Sequence, residues 1–278
     1  MSLTITSKTK LRDGAEVPLF GLGTFQSDQG VSCEQAVRWA LDAGYRHIDT
    51  AAAYGNEDSV GKALRDSGIP RDQIWVTTKV WNNDQGYQTT LDACHASLDR
   101  LGLEYLDLYL IHWPATEQRV DSFKAMIELQ KQGLCRSIGV SNYLETHIDE
   151  VIAATGEVPA VNQIELSPFL ARRPLVDYCR SKGIVPEAYS PLTRGQRLNE
   201  ESVVSIADKH GKTPAQVLIR WCLEHEIVVI PKSVTKERIQ QNADVFDFTL
   251  DEDDMTVLDM LDEDFFTIRP GVPPDKWD

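Results

Sequence analysis

From residue 19 onward the chain alternates two hydrophobic rhythms. A short unbroken apolar run gives way to a polar turn. Then comes a segment with apolar positions three and four apart, a glycine, and the next apolar run. Leu19-Phe20-Gly21-Leu22-Gly23 opens the series. Residues 33–43 put Ala36, Val37, Ala40 and Leu41 on one helical face, with Ser32 and Gln35 as a capping box and Gly44 as the stop. Further apolar runs at 47–51, 74–79, 106–112, 137–140, 160–164, 184–189 and 227–230 read as strands. Between them lie amphipathic helices carrying Val60, Ala63 and Leu64; Leu91, Cys94 and Leu98; Phe123, Met126 and Ile127; Ile148, Val151 and Ile152; Leu175, Tyr178 and Cys179. Each stops at a glycine, from Gly68 to Gly183. Thr213-Pro214 starts another helix, with Gln216 at its third position, and Thr235 caps the last.

Counted this way the chain has eight strands, each followed by a helix. Strict β-then-α order implies parallel strands joined by crossover helices, and eight such units in roughly 250 residues imply a closed (β/α)8 barrel. A doubly wound sheet needs a nucleotide fingerprint at its first turn. Gly21-Leu22-Gly23-Thr24-Phe25-Gln26 lacks the last glycine of that fingerprint. Residues 3–17, turning at Asp13-Gly14, predict a hairpin under the barrel, and residues 250–261 predict an extra C-terminal helix. No linker or low-complexity tract divides the chain, so residues 1–278 read as one domain.

Charge narrows the partners. With 28 Lys and Arg against 43 Asp and Glu, the net charge is −15, which argues against nucleic acid and anionic membranes. A few local cations could still hold an anionic cofactor. The five cysteines, Cys33, Cys94, Cys135, Cys179 and Cys222, are odd in number and widely spaced, which points to a reducing cytoplasm rather than a disulfide framework or zinc site. The first residues lack a signal-peptide core, and no apolar run is long enough to span a bilayer. The expectation is a cytoplasmic protein acting on a small molecule, with no metal.

In a parallel barrel, reactive groups sit at the C-terminal ends of the strands and in the loops beyond. Asp49 ends the second strand, with Tyr54 in the loop after it; Lys79 lies near the end of the third; His112 ends the fourth. Singly, each reads as a surface or structural residue. Their shared placement at one mouth turns the reading towards chemistry.

The same residues carry a resemblance. Gly44-Tyr45-Arg46-His47-Ile48-Asp49-Thr50-Ala51, followed by Glu57 and Gly61, is similar to the first signature of the aldo-keto reductase family. Gly139-Val140-Ser141-Asn142-Tyr143 resembles the second, and Ile230-Pro231-Lys232-Ser233, with Arg238 and Asn242, the third. The short bacterial diketogluconate-reductase-like members are the most similar, also through residues 158–166 and Pro274-Asp275-Lys276-Trp277-Asp278.

The resemblance implies a monomeric, NADPH-dependent oxidoreductase that reduces aldehydes and activated ketones, with Asp49, Tyr54, Lys79 and His112 as its catalytic set. Tyr54 is the general acid. A free phenol, with a pKa of about 10, is a weak donor near neutrality, and a cationic Lys79 is expected to lower it. Asp49 holds Lys79, and neutral His112 orients the carbonyl. For the cofactor, Ser141, Asn142 and Gln163 match the carboxamide contacts and Tyr189 offers a flat face to the nicotinamide. Gly23 and Thr24 lie in the first loop. Ser190, Leu192 and Arg194 belong to the segment that covers the pyrophosphate. Lys232, Ser233 and Arg238 match the 2′-phosphate group, and Gln241 and Asn242 the adenine contacts. Thr235 stands where many relatives carry a further Arg. Phe25, Trp81, His112 and Trp113 are expected around the substrate, whether a keto sugar, methylglyoxal or a β-keto ester.

Other readings carry less. A non-catalytic NADPH-binding barrel would not need all four catalytic residues. A glycosidase needs two facing carboxylates; only Asp49 is well placed, with Glu187 as a second candidate. Tyr178 and Lys182 have the spacing of a short-chain dehydrogenase pair but lack the glycine fingerprint, and residues 55–62 depart from a P-loop. His47, His95, His147, His210 and His225 have no metal-ligand spacing. The acidic residues 251–254 read as a solvated helix start.

Overall fold

A computed structural model describes residues 3–115 and 117–268; the terminal motif at 274–278 lies outside the described residues. The hairpin forms from β1 (Lys8–Lys10) and β2 (Glu16–Pro18), antiparallel. Leu11 and Val17 are buried beneath the barrel floor, and Arg12 donates to the Val158 carbonyl at 3.2 Å.

The barrel strands are β3 (Leu22–Gly23), β4 (His47–Asp49), β5 (Trp75–Val80), β6 (Leu106–Ile111), β7 (Cys135–Ser141), β8 (Val161–Glu165), β9 (Val185–Tyr189) and β10 (Val228–Val229). Neighbours pair in parallel in chain order. Bridges Phe20↔Val229 and Gly23↔Lys232 join the first strand to the last and close the ring. This is the (β/α)8 barrel the hydrophobic rhythm predicts.

The outer helices are α1 (Val31–Asp42), α2 (Glu57–Asp66), α3 (Tyr87–Leu101), α4 (Arg119–Lys131), α5 (Glu145–Thr155), α6 (Arg173–Ser181), α8 (Pro214–Glu224) and α9 (Lys236–Ala243). Two more lie outside the repeat: α7 (Glu201–His210), before α8, and α10 (Glu252–Asp259). The helix α7 has no counterpart among the sequence expectations. Its apolar face is only Val203, Ile206 and Ala207, too short a stripe to stand out. No helix among the described residues is long and apolar enough to cross a membrane.

Helix starts differ from expectation in two places. Helix α1 begins at Val31, so Ser32 lies inside its first turn and caps nothing. The chain enters through Gly30 at φ 92°, a conformation open to glycine, and the Gly30 N–H donates to Ser59 Oγ at 2.7 Å. Thr235 occupies the cap position of α9 without a side-chain bond; its N–H donates instead to Ser233 Oγ at 3.1 Å. The Thr213 start is as expected, and the structure adds a capping box there, with the Gln216 N–H donating to Thr213 Oγ1 and Gln216 Oε1 accepting from the Thr213 N–H.

Candidate active site

Strand β4 ends at Asp49, and a single 3-10 turn, Ala52–Tyr54, follows, closed by Gly55 at φ 65°. That tight return holds Tyr54 over the strand ends. Asn56 fixes the turn from behind: its Nδ2 donates to the carbonyls of Thr24 and Ser27, each at 3.0 Å, and its Oδ1 accepts from Thr50 Oγ1 at 2.8 Å. Inward-facing Lys79 on β5 is fully buried. Its Nζ donates to Asp49 Oδ1 at 2.6 Å and to the Thr50 carbonyl at 2.8 Å, and lies 3.5 Å from Tyr54 Oη. His112, one residue past β6, stands edge-on to the Tyr54 ring with centroids 5.5 Å apart.

The charges follow from burial. Burial opposes the Lys79 charge, yet Asp49, Tyr54 and Glu187 outweigh it and hold the Lys79 pKa above its ordinary value. His112 is kept neutral, first by burial and then by Lys79. For Tyr54 the expectation needs correction. Lys79 does pull its pKa down, but burial is larger, so the phenol lies above its ordinary value and holds its proton firmly.

Beneath this group the polar network continues. Gln163, on β8, donates from Nε2 to Asp49 Oδ2 at 2.8 Å and to Glu187 Oε1 at 2.9 Å. Glu187, on β9, is fully buried and faces His47 Nε2 at 3.9 Å. Asp49 and Glu187 are therefore neighbours bridged by one amide rather than carboxylates facing each other across a substrate. That arrangement removes the basis for a glycosidase reading.

A cleft of about 1310 Å³ opens above the strand ends. Asp49, Tyr54 and His112 reach it, and Lys79 lies behind them. Phe25, Trp81 and Trp113 form an aromatic rim: Phe25 lies 5.1 Å from the Tyr54 ring, and Trp81 lies 5.2 Å, edge-on, from His112. Gly23, Ser141, Asn142, Gln163 and Tyr189 line the next stretch. Beyond them come Ser190, Leu192, Arg194, Lys232, Ser233, Arg238, Gln241 and Asn242. Thr24 is the exception; it turns into the wall, and its Oγ1 donates to the Asp49 carbonyl at 2.9 Å.

Hydrogen bonding leaves specific atoms over. Asn142, at φ 64°, donates to the His112 carbonyl and to Ser141 Oγ, each at 3.0 Å, and accepts from Tyr189 Oη at 2.8 Å. Ser141 Oγ donates to the Gln163 carbonyl at 2.8 Å. Both Nε2 hydrogens of Gln163 are used, which leaves its Oε1 as an acceptor. At the far end Arg194 donates to Gln26 Oε1 and Lys232 to the Gln26 carbonyl, both at 2.9 Å. These partners are neutral oxygens, so the cationic charge there is not cancelled by the bonds it makes. Burial lowers the Lys232 pKa, and Arg194 adds to the effect against an opposing Asp28.

Several residues of the cleft escape the sequence reading. Leu198, Asn199 and Ile268 line it. Ile268 is held by Glu165 at the end of β8, which is buried and accepts from the Thr267 N–H at 2.8 Å, the Ile268 N–H at 3.1 Å and the Thr267 hydroxyl. The period-two spacing from Gln163 puts Glu165 on the same strand face, a signal present in the sequence. The partnership with residue 267, a hundred positions away, had no local signal.

Residues 19–263 match the family model described as aldo/keto reductase family. The glyoxal reductase of Bacillus subtilis is 46% identical over 276 residues, covering 99% of each chain. The crystal structure of an aldo-keto reductase from a Medee basin deep-sea metagenome library shares 47% identity and a TM-score of 0.91, over 93% of this chain and 96% of that one. A Bombyx mori aldo-keto reductase, solved in complex with NADP, shares 35% identity and a TM-score of 0.90 over 96% of each chain.

Proposed function

The chain belongs to the aldo/keto reductase family, and on that premise we propose that it reduces aldehydes and activated ketones to alcohols with NADPH, Tyr54 giving the proton. The observation that carries this reading is the Lys79 ammonium between Asp49 Oδ1 at 2.6 Å and Tyr54 Oη at 3.5 Å, at the base of an open cleft.

Bound NADPH supplies the hydride. The rest falls to the chain. Neutral His112 hydrogen-bonds the carbonyl oxygen and fixes the orientation of the carbonyl group in the cleft. As that oxygen gains negative charge it becomes a far stronger base than a phenolate, so Tyr54 can donate although burial raises its pKa. The Lys79 cation then steadies the phenolate that remains. Asp49 keeps Lys79 charged and in place within a buried site.

Residue chemistry supports the cofactor. The Gln163 Oε1 acceptor suits the amide N–H of a carboxamide, and the partly buried Tyr189 suits a ring face. Lys232 and Arg238, with Ser233, suit a phosphate dianion. A relative solved with NADP supports the same cofactor type. The aromatic rim of Phe25, Trp81 and Trp113 suits small or flat neutral carbonyl compounds, and a relative named a glyoxal reductase supports a small 1,2-dicarbonyl compound, the class that includes methylglyoxal, as a first substrate to try.

The test is NADPH oxidation with a panel of methylglyoxal, a β-keto ester and an aromatic aldehyde. Turnover on at least one is expected. Tight NADPH binding with no turnover on any of them would favour a non-catalytic binding barrel.

A further inference from the structure

The proton-donating group stands on a second carboxyl. Glu187 is fully buried inside the barrel. Its Oε1 accepts from Gln163 Nε2 at 2.9 Å, and the same nitrogen donates to Asp49 Oδ2 at 2.8 Å. One amide therefore ties two carboxyls together under a single cation. Glu187 Oε2 has no hydrogen-bond partner among the described residues.

Among the described residues, four titratable or charged groups face Glu187. Asp49 and His47 come from β4, Lys79 from β5 and Tyr54 from the turn behind β4. The imidazole brings no charge, because burial pushes the His47 pKa down to about 3. Lys79 is already paired with Asp49 at 2.6 Å. An ionised Glu187 would therefore add an uncompensated negative charge to a dry interior, which is strongly disfavoured.

We propose that Glu187 is a positioning residue for the proton donor: bearing its proton, it anchors Gln163 against Asp49 and keeps the charge under Tyr54 at one cation against one anion. The inference rests on the reading of Tyr54 as the general acid. Burial first, and the nearby Asp49 second, push the Glu187 pKa up to about 8. The sign follows. As pH rises through that value, a new negative charge appears below Tyr54 and raises the Tyr54 pKa. The phenol becomes a weaker acid, and reduction slows on the alkaline side.

The test compares wild type with Glu187→Gln, both saturated with NADPH, by kcat/KM for methylglyoxal between about pH 6 and about pH 10. Wild type is expected to lose about tenfold above about pH 8, while Glu187→Gln, which keeps the Oε1 acceptor but cannot ionise, stays level. A purely structural role would lower activity at every pH without moving the alkaline limb; the same limb in both proteins overturns the inference.

Because a buried substitution can impair folding, the wild-type holoenzyme is also titrated by infrared spectroscopy. A protonated-carboxyl band present at about pH 7 and lost by about pH 9.5 is expected, and absence of the band at about pH 7 overturns the inference. Tyr54→Phe is measured alongside. If it is inactive while the limb is unmoved in Glu187→Gln, only the Glu187 inference fails. If it is active, the general-acid reading fails and the inference with it.

Discussion

Lys79 Nζ lies 2.6 Å from Asp49 Oδ1, in a pair from which solvent is excluded. Among the described residues neither charge has a second full counter-ion in contact; Asp49 is completed by Gln163 and Lys79 by the Thr50 carbonyl and Tyr54. Breaking such a pair leaves a naked buried charge. Replacing it whole does not.

Lys79→Met is therefore expected to lower stability by about 3–5 kcal/mol and to abolish reduction. Adding Asp49→Asn should restore most of the stability and none of the activity. Denaturant midpoints and NADPH turnover, measured on the single and double variants, separate the two effects. Recovered activity in the double variant would contradict the role given to the Lys79 charge.

The cofactor reading rests on cations whose hydrogen bonds end on neutral oxygens of Gln26. Lys232→Ala is expected to weaken NADPH binding by about tenfold and to leave NADH binding nearly unchanged, since only NADPH carries the 2′-phosphate. Fluorescence titration with both cofactors checks this. Equal losses for the two would move Lys232 away from the 2′-phosphate. Thr235→Arg, which adds a cation to the stretch of the cleft lined by Lys232 and Arg238, should sharpen the preference for NADPH.

Glu165 controls one wall of the cleft at a distance. Its carboxylate accepts from the Thr267 and Ile268 N–H groups, and Ile268 lines the pocket. Glu165→Ala should loosen that tail and raise KM for an aromatic aldehyde by about tenfold, with kcat and NADPH affinity little changed. A matching fall in kcat would show that the tail does more than shape the pocket.

Much of this was legible in the chain because a parallel barrel repeats one local rule. Each strand is buried on both faces and each helix on one, so the two rhythms and the intervening glycines located every barrel unit. The strand-end rule then gathered Asp49, Lys79 and His112 without any tertiary information. The missed features have a common cause. Helix α7 shows too short an apolar face. The start of α1 depends on the φ 92° turn at Gly30 and its bond to Ser59, a residue of α2. Glu187 reads as a facing carboxylate in the sequence, which does not say that Gln163 stands between it and Asp49. The Tyr54 pKa departs from the motif's expectation because charge proximity is legible in a motif, whereas the depth of burial that opposes it is not. Even Gly61, part of the first signature, shows its reason only in three dimensions: a Cβ there would fall 2.0 Å from the Leu101 carbonyl oxygen where α2 meets α3.

The central claim is that Tyr54 delivers the proton. The direct measurement is a single-turnover reduction of methylglyoxal by Tyr54→Phe preloaded with NADPH, with cofactor affinity measured on the same sample. The substitution removes one hydroxyl from a ring that packs on Phe25 and His112. The account predicts a rate lower by about 10²–10⁴-fold with NADPH affinity unchanged. A rate within a few-fold of wild type would contradict it and leave the proton to come from elsewhere in the cleft.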